Sequence, residues 1–147
     1  MNNAKLYHKS NTLQLRDTKQ ILDDFSHLFN WRSDGTDCLL DIGSGTGDSL
    51  VEYIIPKMPK NFLKAIGIDI SEEMTKYAND NYQNKQVDFY KVDIQSDFLT
   101  TELISTDPKI SFLAQNRELG NYDFITSFYC LHWIQNQRSV HMYLKCY

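Results

Sequence analysis

Apolar residues fall along this chain in two rhythms, short continuous runs that finish in an acid and longer stretches where they return every three or four positions. Residues 38–42, 63–69 and 87–93 are runs of the first kind, closing on Asp41, Asp69 and Asp93, and they predict strands. A fourth run, residues 122–130, is rich in aromatic and β-branched side chains and predicts another strand. The second rhythm predicts a helix over residues 11–29, capped by Ser10 or Asn11, with Ile21, Leu22, Phe25, Leu28 and Phe29 on its apolar face. A second helix is expected over residues 48–55, stopped by Pro56 and Pro59. A third begins at Ser71, whose side chain can cap it, and carries Glu72 and Glu73 in a first turn that favours negative charge. Its buried face is Met74, Tyr77 and Ala78. Residues 98–104 and 109–119 read as short helix or loop without a firm pattern.

Strand, helix, strand, helix, strand is the order of right-handed βαβ units, hence of an α/β fold with a parallel sheet covered on both faces. Such a sheet collects Asp41, Asp69 and Asp93 on one edge, where open α/β sheets bind ligands; aspartate is also an ordinary turn residue at strand ends. Between the first strand and the helix after it lies Gly43-Ser44-Gly45-Thr46-Gly47. Glycines at alternate positions let the backbone take positive φ and approach a ligand closely, and the helix beyond offers unpaired N–H groups. The plain alternative is an ordinary strand-to-helix turn. Gly47 lies two positions past Gly45 rather than three, which counts against the dinucleotide fingerprint of NAD and FAD proteins.

Composition narrows the field further. At 147 residues, 41% hydrophobic and 23% charged, the chain suits one domain with one core. A net charge of −4 without a basic cluster argues against nucleic-acid binding. No apolar run is long enough to cross a bilayer, and residues 1–5 lead into polar sequence without a signal-peptide core, so a cytoplasmic location is expected. Cys38, Cys130 and Cys146 form no C-x-x-C pair, and His8, His27, His132 and His141 form no zinc pattern, so no metal site is expected. Cys38 and Cys130 read as small buried hydrophobes. Gln14 offers both a donor and an acceptor near the start of the first helix, but suits a solvated helix position equally well.

Residues 40–47, 67–74, 92–94 and 122–133 together resemble the successive motifs of class I S-adenosylmethionine-dependent methyltransferases. More narrowly, Met1-Asn2-Asn3-Ala4 with Tyr7, Lys9-Ser10-Asn11, Gln14, residues 69–74, and Ser127-Phe128-Tyr129 with Leu131-His132-Trp133-Ile134 resemble the arthropod juvenile hormone acid O-methyltransferases. The resemblance implies a Rossmann-like fold with four of seven strands present, in order 3-2-1-4. It implies a helical substrate-side cap over 1–36, a core over 37–138 and an atypical tail over 139–147, the likeness failing after Arg138. Asp41 and the loop of Gly43, Ser44, Gly45 and Gly47 would hold the methionine part of S-adenosylmethionine. Asp69, with Ile70 beside it, would meet the ribose, and Asp93 and Ile94 the adenine. Gln14 and Trp133 would orient the carboxylate of a small lipophilic acid of the juvenile hormone acid or farnesoic acid type, with no general base; Trp133 as core packing is the bland alternative.

Two other outcomes stay open on the sequence: a methyltransferase acting on another small acceptor, or a truncated, non-catalytic cofactor-binding remnant. An apolar fourth strand left at the sheet edge is an expected site of pairing with another chain.

Overall fold

The computed structural model describes residues 3–94 and 122–135. Expectations for 98–104, 109–119 and the tail 139–147 fall outside the described residues. The acid-ended runs are strands lying side by side: β1 (Cys38–Ile42), β2 (Lys64–Asp69), β3 (Val87–Lys91) and β4 (Phe124–Thr126). All pairings are parallel and the order is β3-β2-β1-β4, as the resemblance implied. Register places Asp41 beside Gly67 on one side and Thr126 on the other, so the carboxyl ends of the strands share one edge.

Side-chain alternation divides the sheet into two faces. Leu39, Ala65, Val87 and Phe89 join Leu50, Ile54, Ala78 and Leu22 in one buried cluster, while Cys38, Ile42, Ile66 and Ile68 join Val92 in a second. Among the described residues the helices contribute to the first cluster. Central positions are fully covered, Leu39 and Ile66 at 0% exposure, each contributing about 1.5–3 kcal/mol by leaving water.

Helix α1 (Ala4–Ser10) precedes α2 (Thr12–Phe25), and α3 (Glu72–Tyr82) joins β2 to β3. Ser71 caps α3, its hydroxyl accepting from the Met74 N–H, and Met74, Thr75 and Ala78 are its buried residues. Three expectations change. The first helix stops at Phe25 and tightens into a 3-10 turn, Ser26–Leu28, which rotates the remaining apolar positions out of phase. Within α2 itself the buried line is Thr18 and Leu22, one turn apart, while Ile21, Phe25 and Leu28 face outward; Phe29 packs with Trp31 and Phe124.

The segment over 48–55 is not a regular α-helix. It widens to a π turn at Leu50–Ile54, with the Ile55 N–H donating to Leu50, because Pro56 withdraws the donor of the next turn and crowds the carbonyl behind it. The fourth strand is three residues long rather than spanning 122–130. Ser127 turns its hydroxyl to the Ile42 carbonyl at 3.0 Å and Tyr129 takes a φ of 57°, which ends the extended backbone. The long apolar edge expected there is absent among the described residues.

Candidate functional site

The loop after β1 is fixed from below by β2: the N–H groups of Gly43 and Ser44 both donate to the Ile68 carbonyl, at 2.8 and 3.0 Å. Gly43, Gly45 and Gly47 all have positive φ, of 77°, 55° and 85°. Two of them are also sterically required. A side chain on Gly43 would enter the space of Cys130, and one on Gly47 would stand 2.8 Å from the Phe89 ring. Gly45 is different, since a Cβ there would meet only Tyr7, at an ordinary 3.6 Å. The middle glycine thus supplies backbone conformation and leaves its outer face open.

Asp69 joins this loop to the next helix. One carboxylate oxygen accepts the Gly45 N–H at 3.0 Å and the other the Ser71 N–H at 2.8 Å. Asp41 is buried, 3% exposed, and accepts the Thr126 hydroxyl at 2.7 Å. Burial pushes its carboxyl up to about 7, helped by the charge of Asp69 and opposed by the Thr126 hydroxyl. Asp93 lies two residues past β3, so the three acids do share the carboxyl edge of the sheet.

Two cavities open at this edge and meet at Gly43. The first, about 20 Å³, lies between the glycine loop and α1–α2, with Tyr7, Gln14, Thr18, Asp41 and Ser44 in its walls. That volume admits one water-sized polar group. Gln14 Oε1, Thr18 Oγ1 and Ser44 Oγ are buried and lack a hydrogen-bond partner among the described residues. Three unsatisfied polar atoms around one cavity are costly unless a polar group enters it. The second cavity, about 140 Å³, is mainly apolar; Ile68, Ile70, Val92 and Ile94 wall it, Asp69 and Asp93 edge it, and Trp133 stands at its side.

The expected site residues are therefore distributed. Asp41, Ser44 and Gln14 line the polar cavity; Asp69, Ile70, Asp93, Ile94 and Trp133 line the apolar one; Gly43 belongs to both. Gln14 is half-buried rather than solvated, and Trp133, in the 3-10 turn Leu131–Trp133, is 73% exposed rather than packed in a core. Cys38 is buried and Cys130 half-buried, where burial pushes both thiols up.

Sequence reasoning did not find Asp48. It is 1% exposed, and one carboxylate oxygen meets His8 Nδ1 (2.9 Å), Asn11 Nδ2 (2.7 Å) and Thr46 Oγ1 (2.9 Å), while the other accepts the Tyr82 hydroxyl (3.0 Å). This aspartate ties α1, the α1–α2 joint, the glycine loop and α3 together. Nor was Thr18 found, although its place one turn beyond Gln14 puts both on the same side of α2.

A parallel sheet in this order, with a glycine loop after β1 and acids at the strand ends, is the framework of a methyltransferase. The family model described as "Methyltransferase domain" matches residues 13–146, and the chain belongs to that family. It is 41% identical over 137 residues to juvenile hormone acid O-methyltransferase of Drosophila melanogaster, an alignment covering 92% of this chain and 41% of that protein. The protein of the same name from Bombyx mori is 38% identical over 137 residues, covering 93% of this chain and 43% of the relative. The chain thus spans less than half the length of these relatives. Among solved structures, the YcgJ protein of Bacillus subtilis aligns with a TM-score of 0.56 at 20% identity, over 85% of this chain and 44% of that one. PKMT2 from Rickettsia typhi in complex with AdoHcy gives a TM-score of 0.51 at 17% identity, over 90% of this chain and 21% of that one. Both likenesses are of fold.

Proposed function

We propose that this chain binds S-adenosylmethionine across its two cavities and that the protein it represents transfers the methyl group to the carboxylate of a small lipophilic acid of the juvenile hormone acid type. One observation carries the cofactor reading: a polar cavity with three unsatisfied buried side-chain atoms adjoins an apolar slot edged by two acids, with a positive-φ glycine loop between them. A ligand with an ammonium group, a ribose and a purine has matching chemistry in that order, the ammonium being of the size the polar cavity admits. The acceptor reading rests on identity to the Drosophila and Bombyx enzymes.

In this reading Asp41 and the Gly43–Gly47 backbone hold the amino-acid end, Asp69 and Ile70 the ribose, and Asp93 and Ile94 the adenine. Asp69 already accepts two backbone N–H groups, which fixes the orientation of its carboxylate. When bound, S-adenosylmethionine supplies an electrophilic methyl group on a sulfonium centre. An acceptor carboxylate is ionised at neutral pH and needs no base, so the task of the protein is orientation and exclusion of water. Gln14 offers amide N–H donors and Trp133 an indole N–H; both are neutral, so they hold the carboxylate without quenching its charge.

The test is methyl transfer from labelled S-adenosylmethionine to a long-chain carboxylic acid. Gln14→Ala and Trp133→Ala are expected to lower turnover at least about 100-fold while S-adenosylhomocysteine still binds. Undiminished turnover in either variant removes the carboxylate reading. Transfer to a different small acceptor but not to the acid favours another methyltransferase of this fold, and cofactor binding without any transfer favours a non-catalytic binding role.

A further inference from the structure

Tyr129 is the one non-glycine residue with positive φ among the described residues, at 57°. A bulky side chain is strained in that region, and such backbone persists only where its surroundings hold it. One of its ties comes from the far end of the sequence: at the protein surface the Tyr129 hydroxyl donates to Asp17 Oδ2 at 2.6 Å, across 112 positions. The bond is short and charge-assisted, and it keeps the Asp17 carboxyl below its ordinary range, with Arg16 on the other oxygen adding to the effect.

The two ends of this bond stand on the two elements that carry the expected acceptor contacts. Asp17 is three residues past Gln14 on α2. Tyr129 is immediately before Cys130, whose side chain abuts Gly43, and the turn bearing Trp133 follows at once. The segment after β4 is anchored to β1 through Ser127 and the Ile42 carbonyl, and to the glycine loop through Cys130. Tyr129 connects it to α2. Gln14 and Trp133 line different cavities, so one acceptor can reach both only if α2 and the Trp133 turn keep a fixed separation.

We propose that the Asp17–Tyr129 hydrogen bond is a positioning clamp that sets the distance between the Gln14 and Trp133 elements and thereby controls acceptor-carboxylate binding, leaving cofactor binding untouched. The body of Tyr129 is part of the polar cavity wall, while its hydroxyl is engaged by Asp17; the bond itself acts on the acceptor through Gln14 and Trp133. The proposal rests on the carboxylate reading above, and its test is built to separate the two.

The 147-residue chain is titrated calorimetrically with S-adenosylhomocysteine, and then with dodecanoate at saturating S-adenosylhomocysteine. Tyr129→Phe and Asp17→Ala are each expected to weaken dodecanoate about tenfold, the double variant no further, with S-adenosylhomocysteine within about twofold of wild type. Asp17→Asn, whose amide oxygen still accepts a hydroxyl, is expected to recover most of the affinity. Unchanged dodecanoate affinity, or equal weakening of both ligands, overturns the clamp.

Should wild-type chain bind S-adenosylhomocysteine but no dodecanoate, the carboxylate reading fails for this chain, and the clamp is decided by motion. Fluorescence anisotropy of Trp133, isolated by subtracting matched Trp133→Phe chains, is expected to fall in both Tyr129→Phe and Asp17→Ala. Unaltered anisotropy overturns it.

Discussion

At the scale of single residues, the site is governed by carboxylates whose surroundings differ. Asp69 is held by backbone donors, while Asp41 is buried against one hydroxyl and faces the charge of Asp69. The consequence for Asp41 has a definite sign. Its carboxyl rises from the ordinary 3.8 to about 7 in the folded chain, so between those values the folded state binds more protons than the unfolded. Stability therefore falls as pH rises through that window. The ligand-free chain is expected to melt higher at about pH 5 than at about pH 7.5 by this component, and Asp41→Asn to lose it; an identical pH profile in Asp41→Asn contradicts the assignment. A bound ammonium favours the ionised form, so ligand uptake is expected to release protons near neutral pH. Asp41 and Asp69 were legible because acids at strand ends follow from the apolar pattern alone. Asp48 was not, since an aspartate just after a glycine loop looks like any helix-start acid until its four partners are brought together from α1, the α1–α2 joint, the loop and α3.

Among the elements, α1 shows what the pattern of apolar positions cannot report. Its sequence, Ala4-Lys5-Leu6-Tyr7-His8-Lys9-Ser10, has no amphipathic period, and only Ala4 is buried. Its place is set by polar ties, His8 to Asp48 and the Ala4 N–H to Glu73, and by the His8 ring against Tyr77. The buried side of α2 was misjudged for a related reason, because Thr18 takes the core-facing place that Phe25 and Ile21 were expected to fill. Asp48→Ala leaves the Asn11, Thr46 and Tyr82 donors without their acceptor inside the protein, a cost of about 3–5 kcal/mol. A lower melting midpoint is expected, together with proteolytic cleavage near the α1–α2 joint that wild type resists. A midpoint equal to wild type would show that apolar contacts alone dock α1.

For the whole molecule, the sheet order and the βαβ succession were readable because buried parallel strands are continuous apolar runs, and β1, β2 and β3 met their expected places within one or two residues at each end. The fourth strand was overread. An aromatic run over 122–130 satisfies strand propensity throughout, and nothing local to it reveals that Ser127 and Tyr129 leave the sheet to reach Ile42 and Asp17. That departure turns the chain from sheet edge to site, bringing Cys130 against the glycine loop and Trp133 to the side of the apolar cavity. The strands, loop and acids meet at one edge of the sheet, so cofactor binding is the property expected of this chain by itself.

The most direct measurement is a calorimetric titration of the 147-residue chain with S-adenosylhomocysteine, set beside Asp69→Ala and a thermal melt of each. The expected result is one site per chain in wild type, affinity lowered at least about 100-fold in Asp69→Ala, and cooperative melting of both proteins. A cooperatively folded wild-type chain that gives no heat, or an Asp69→Ala variant that binds as wild type does, would contradict the account.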